Sequence, residues 1–169
     1  MGNVAASGAI SYTPSSGVVP FQGVPLVQIR EGNEGDIVKV SRLWVEMVRE
    51  MRPDFTPNVE WWRKIARESM RQGPYAMLVA DSGGKIVGFL DWFVFPEPST
   101  GKIHMVGQHL FLLPEYRTTG IGRTLYERAI EFGKSKGITT FELFCFDNEK
   151  LHWEKRGFSA LRTLMRKEI

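Results

Sequence analysis

Leu112-Leu113-Pro114-Glu115-Tyr116-Arg117-Thr118-Thr119-Gly120-Ile121-Gly122 is the stretch on which the reading of this chain turns. An apolar run ends at Pro114, two glycines follow, and a helix-like segment runs from Gly122 to Lys136. A strand that turns through glycines into a helix start presents several backbone N–H groups at one point. The helix's first-turn donors are also unsatisfied and lie at its positive end. Such a turn binds phosphate or pyrophosphate without needing a particular side chain. Glycine lets the phosphates approach the backbone, because a Cβ there would intrude. The segment therefore predicts a phosphorylated ligand.

Three patterns compete for that role. Gly133-Lys134-Ser135 looks like the end of a nucleotide P-loop, but the glycine required five places earlier is Arg128, and the segment sits late in a helix. The dinucleotide fingerprint fits Gly120 and Gly122 and fails at Leu125. The pattern Arg/Gln-x-x-Gly-x-Gly/Ala, after a strand and before a helix, is met in full by Arg117, Gly120 and Gly122.

Upstream, Leu26 to Arg30 alternates as a strand does. Asp36 is placed to cap a helix in which Ile37, Val40, Trp44, Met47, Val48 and Met51 share one face, and Pro53 stops it. Asn58 caps a second amphipathic helix, marked by Val59, Trp62, Ile65, Ala66 and Met70 and closed by Gly73-Pro74. Tyr75–Ala80 and Ile86–Phe95 flank the turn Asp81-Ser82-Gly83-Gly84-Lys85 and read as a hairpin, with Ile103–Leu113 as a third strand. Downstream, Ile121, Leu125, Tyr126, Ala129, Ile130 and Gly133 form a helical stripe that Gly137 ends. Thr139–Phe146 reads as a strand, Asn148–Arg156 as a short helix, and Phe158–Lys167 as a last strand. The order β-α-α-β-β-β-α-β-α-β is that of a mixed α/β sheet.

With 169 residues, 43% of them hydrophobic, the chain suffices for one domain with a real core. A net charge of +3, with Lys and Arg interspersed among Asp and Glu, suits an anionic small ligand and falls short of a nucleic-acid footprint. No apolar run approaches the ~20 residues of a membrane span, and the opening residues lack the basic start of a secretion signal. The single cysteine, Cys145, sits between Phe144 and Phe146 and is expected to be a buried structural thiol in a reducing, cytoplasmic setting. The first 25 residues carry no charge. They read as a loosely held arm or as an extended segment docked on this or a partner subunit; we draw the arm as residues 1–23 and the domain as 24–169.

Two segments resemble a known family. The Leu112–Gly122 stretch is similar to the acyl-CoA-binding motif of the GNAT N-acetyltransferases, and His152-Trp153-Glu154-Lys155-Arg156-Gly157-Phe158 resembles that family's late Tyr-Glu-Lys-x-Gly-Phe segment. Ile29-Arg30-Glu31 with Asp36 looks like its first strand and helix. The resemblance implies a mixed, mostly antiparallel central sheet with splayed strands, flanked by helices. It implies transfer of an acetyl group from acetyl-CoA to a primary amine on a small molecule or peptide. It also implies a cofactor pose. Backbone groups of Arg117, Thr118, Thr119, Gly120, Ile121 and Gly122, with Arg123 and Thr124, would hold the pyrophosphate of coenzyme A. Main-chain groups of Leu112 and Leu113, together with Asn148, would meet the pantetheine arm.

Acetyl transfer to an amine needs a deprotonated nucleophile, a polarised carbonyl and a proton for the departing thiolate. In the family a tyrosine commonly supplies that proton; the matching place here holds Trp153, whose indole has no dissociable proton in a useful range. A catalytically impaired coenzyme A-binding or scaffold protein of the same fold is therefore the alternative reading. His109 titrates in the range of a base, or is a satisfied edge histidine. Glu142 is a carboxylate in an apolar strand, a base if its pKa is raised, otherwise a residue of the sheet margin. Asp91 is a third acidic candidate, for acceptor recognition. Trp61 cannot share the face of Trp62, so it is expected at the acceptor cleft or at a homodimer contact.

Overall fold

The computed structural model describes residues 18–19, 26–145 and 149–161. Val18–Val19 (β1) falls within the uncharged opening stretch and pairs antiparallel with β2, Val27–Glu31, at Gln28 and Val27. Val27 and Ile29 point into the core and Gln28 out, the alternation expected of a half-buried strand.

A turn of 3-10 helix, Glu34–Asp36, precedes α1, Ile37–Met51. Asp36 stands at the N-cap position of α1 as expected, but its side chain makes no capping bond to that helix. Asn33 caps the 3-10 turn instead: its side chain accepts from the Gly35 N–H, and Asp36 reaches back to accept from the Asn33 N–H at 3.0 Å. Both Asp36 oxygens also accept from Arg30, at 2.7 and 2.8 Å, which holds the carboxyl below the usual range against the opposing effect of burial. The extra turn thus makes Asp36 the far member of a capping box and the tie between α1 and β2.

Helix α2, Val59–Gln72, starts as expected, with the Asn58 side chain accepting from the Trp61 N–H at 3.0 Å, and ends at Gly73. Trp62 stacks on Trp44 of α1 with ring centroids 5.4 Å apart, while Trp61 is 60% exposed. Strands β3, Tyr75–Ser82, and β4, Lys85–Pro96, form the expected hairpin, and β5, Ile103–Leu112, continues the antiparallel run. Helix α3, Ile121–Ser135, carries the chain back so that β6, Thr140–Leu143, lies parallel to β5. The sheet order is β1-β2-β3-β4-β5-β6, mixed and mostly antiparallel. Phe132 of α3 packs on Trp92 at 5.2 Å, and Gly133 lies against Met105 on that same face. Helix α1 reaches the opposite face, where Glu50 meets Arg117 beside Phe111.

The sheet opens between β5 and β6. Asp91 of β4 faces His109 and Trp92 faces Gly107, so Gln108 is an extra residue bulged out of β5. A bulge bends its strand and increases the local twist. The parallel register runs from His104 opposite Thr140 to Gly107 opposite Leu143 and stops where the bulge begins. A Cβ at Gly107 would lie 3.1 Å from the Phe141 ring, so a larger residue there needs that ring to shift by a few tenths of an ångström. The expected strand therefore ends at Leu143, with Phe144 and Cys145 outside it and Phe146 outside the described residues. This also corrects the reading of Cys145: it has left the sheet and is exposed, as is Phe144. The short helix α4, Lys150–Glu154, follows. Of the expected last strand, Phe158 to Leu161 carry no strand structure and the remainder lies outside the described residues.

Candidate active site

The opening between β5 and β6 is a cavity of about 370 Å³. Met47 and Met51 of α1 line it from one face; Tyr126 of α3, Phe141 and Trp153 line it from the other. Gln108, His109 and Leu110 of β5 and Leu143 of β6 line the split, together with Glu149 and His152. A ligand entering from the α3 face thus meets one entering from the α1 face.

His109 is the titratable group of β5 in this cavity. Its Nδ1 lies 3.0 Å from Asp91 Oδ1 and 3.1 Å from Oδ2, and its backbone N–H donates to Oδ1 at 2.9 Å. The Tyr75 hydroxyl donates to Asp91 Oδ2 at 2.7 Å. Asp91 is 1% exposed, so its buried charge is offset by these donors and by the imidazole. Burial alone pushes the His109 pKa down; the charge of Asp91 and its hydrogen bond outweigh this and leave it above the ordinary histidine value. Burial and the same carboxylate push Tyr75 well above a free phenol. An Nδ1–H given to Asp91 leaves Nε2 as the nitrogen with a free lone pair. Asp91 has both oxygens engaged, and its place is behind His109.

Glu142 sits elsewhere. Strand alternation sends it to the face opposite Phe141 and Leu143, and its Oε1 lies 3.3 Å from His104 Nδ1. The structure does not bring Glu142 and His109 together, and Glu142 does not line the cavity.

The glycine turn is built as an anion cradle. Thr118 and Gly120 both have positive φ, 64° and 91°, which folds successive N–H groups toward one point. Gly120 caps α3 and no side chain accepts from the first turn, leaving the N–H groups of Ile121, Gly122 and Arg123 to an outside acceptor. Thr119 and Thr124 hydroxyls bond back to Tyr116 and Gly120 carbonyls and hold the turn's shape. The Arg117 side chain faces inward: Nε donates to the Leu112 carbonyl at 3.0 Å and the guanidinium grips Glu50. Arg123 pairs with Glu127. Leu113 N–H is committed to the Val87 carbonyl on β4. Leu112 turns its N–H the other way, toward the open edge, so it is the main-chain donor of this pair left for an arm lying in the split. Asn148 lies outside the described residues.

These residues fit coenzyme A on structural grounds: uncapped helix donors in a glycine turn, then a free strand edge leading into a cavity. Met47, Met51, Tyr126, Glu149 and His152 were not singled out from the sequence as site residues; their helical spacing marks them only as core or surface. Among the described residues no helix is long and apolar enough to cross a membrane.

Known proteins share this architecture. A family model described as Acetyltransferase (GNAT) family matches residues 40–158. The chain is 27% identical over 147 residues to an uncharacterized N-acetyltransferase of Archaeoglobus fulgidus, covering 84% of this chain and 95% of that protein. It is 27% identical over 158 residues to thialysine N-epsilon-acetyltransferase of Sus scrofa, covering 85% of each. Among solved structures, a Trypanosoma brucei acetyltransferase superposes with TM-score 0.67 at 22% identity, over 85% of this chain and 99% of that one. An aminoglycoside acetyltransferase from an uncultured soil sample gives TM-score 0.65 at 22% identity, over 85% and 95%. With a family model matched across most of the folded region and a split sheet of this form beneath it, the chain belongs to the GNAT acetyltransferase family.

Proposed function

We propose that this protein transfers the acetyl group of acetyl-CoA to a primary amine, with His109 as the base. One observation carries the reading: a histidine fixed by a buried carboxylate stands in the sheet split that the glycine turn leads into. When bound, acetyl-CoA supplies an activated acetyl thioester. The N–H groups of Ile121, Gly122 and Arg123 would bind its pyrophosphate, and Leu112 N–H would hold its arm along β5. Asp91 orients His109, and His109 Nε2 takes the proton from the attacking amine. General-base help of this kind is worth ~10²–10⁴-fold. Apolar side chains of Met47, Met51 and Leu110 line the meeting point.

The Sus scrofa relative is named for acetylation of an ε-amine, which supports a primary amine as the acceptor class. A small molecule or a peptide end both suit an opening on the α1 face, where Trp61 is a candidate contact for acceptor or second subunit. A lone cysteine in the chain suits a reducing cytoplasm.

The test is release of free thiol from acetyl-CoA against a panel of amines, amino acids and peptides, beside calorimetric titration with acetyl-CoA. Amine-dependent thiol release is the expected result. Binding without release across the panel leaves a coenzyme A-binding protein and overturns the transfer reading.

A further inference from the structure

We propose that Tyr75 is a positioning residue for the base: its hydroxyl, seated on Asp91, limits how tightly that carboxylate holds the proton of His109. The proposal rests on the acetyl-transfer reading above, and it concerns a residue two strands away from the histidine on which it acts.

The three residues come from three neighbouring strands. Met77 lies opposite Asp91 and Tyr75 opposite Phe93, so Tyr75 of β3 is a diagonal neighbour of Asp91 on one face of the sheet. On its other side Asp91 stands opposite His109 of β5. The two carboxylate oxygens are used differently. Oδ1 accepts the His109 backbone N–H at 2.9 Å and lies 3.0 Å from Nδ1. Oδ2 accepts the Tyr75 hydroxyl at 2.7 Å and lies 3.1 Å from the same Nδ1. Phenol and imidazole therefore share Oδ2, and the phenol has the shorter contact. The negative charge that Oδ2 shares with the phenol is charge it does not lend to Nδ1–H.

Tyr75 is buried, and its ring packs on Phe93 with centroids 5.1 Å apart. A phenylalanine fills that place equally well; what the hydroxyl adds is the bond to Oδ2. Burial and the charge of Asp91 hold the phenol well above its ordinary pKa, so it keeps its proton and remains a donor.

A base must be unprotonated at the pH where it works. A buried carboxylate against an imidazole pulls the other way, since it favours the charged ring. A neutral donor on the same carboxylate stabilises its charge whether or not the histidine is protonated, and so weakens that pull. Among the described residues Asp91 is the charge that acts on His109. Around the ring, β4 adds Phe89 at 6.3 Å and α1 brings Met47 and Met51 to the same cavity. Glu149 and His152 also line that cavity, and there the charge of Glu149 acts on His152.

The test is an NMR titration of the three histidine rings in the ligand-free protein, with His109 assigned by its loss in His109→Gln. Tyr75→Phe should raise the His109 pKa by about 0.5–1 pH unit, and the acidic limb of kcat/KM should move up with it. In an Asp91→Asn background the same substitution should leave the ring's titration where it was, because Tyr75 acts through that carboxylate. Tyr75→fluorotyrosine keeps the packing and makes the hydroxyl a stronger donor, so it should move the titration down. A packing role alone predicts lost stability with the His109 titration unmoved. An unmoved or lowered titration in Tyr75→Phe, or a shift that persists with Asp91→Asn, overturns the proposal. Should Tyr75→Phe not fold, Tyr75→fluorotyrosine decides, and an unmoved or raised titration there overturns it equally. The titration needs neither acetyl-CoA nor turnover, so its outcome is separate from that of the transfer reading, which absent thiol release in the wild type would overturn.

Discussion

Asp91 is a carboxylate placed in the middle of a sheet, opposite the residue whose charge it modulates. Such a group is tolerated only because Tyr75, the His109 amide and the imidazole all direct hydrogens at it. Removing its charge has a defined consequence for His109. Asp91 raises that pKa, so Asp91→Asn lowers it, and the acidic limb of the kcat/KM profile moves to lower pH. An acidic limb that stays in place would show that another group is the base. Stability follows by linkage. A raised folded-state pKa contributes stability that is fully present below the unfolded value, about 6.5, and is lost as pH rises through the folded value. Wild type should therefore lose more stability than Asp91→Asn across that window in urea melts at stepped pH. Trp153 makes the complementary point: Arg156 and Phe158 lie within five residues of it along the chain, but its contact with Tyr126 was not legible, because that residue comes from α3.

At the scale of elements, β5 and α3 do most of the functional positioning. The bulge at Gln108 ends the pairing with β6 and so makes the cavity; the turn from Arg117 to Gly120 then delivers α3 uncapped. Arg117 holds this geometry by tying the turn to Leu112, Phe111 and the end of α1. Its ion pair with Glu50 is partly exposed and is worth at most about 1 kcal/mol. The motif arginine is thus a brace for the cradle, a role its sequence position does not reveal. Gly122→Glu tests the cradle itself. The built Cβ approaches only the flexible end of Leu112, at 3.3 Å, so the domain should keep its circular dichroism spectrum. A carboxylate at the uncapped helix start should abolish acetyl-CoA binding in calorimetry; retained affinity would contradict backbone recognition of the pyrophosphate.

For the whole molecule, the proposed reaction assigns donor and acceptor to opposite faces of the sheet. Helix α3 covers the face through which a nucleotide-bearing donor would bind, and α1 with α2 covers the face that an acceptor would approach. The split lets the two meet within a continuous core that includes Phe89, Trp92 and Leu125. Because the donor would bridge β5 and α3, binding should stabilise the fold globally. At 100 times its Kd, acetyl-CoA should add about 2.7 kcal/mol, a rise of roughly 5–10 °C in Tm for a chain of this size. A flat thermal-shift response at saturating ligand would remove acetyl-CoA from the account.

The sequence by itself determined what depends on neighbours along the chain. Helix limits at Asn58 and Gly73, the hairpin at Gly83-Gly84 and the glycine turn before α3 follow from caps, turns and periodicity, which are local. The element order from β2 to α4, and with it the mixed sheet, followed from the same signals. Tertiary structure decided what depends on residues far apart. Asp91 meets His109 across 18 positions, Arg117 meets Glu50 across 67, and the early end of β6 that exposes Cys145 comes from a bulge in another strand. Charge, hydrogen bonding and strand bending act through space, so a carboxylate's partner and a cavity's walls are settled only when the elements pack.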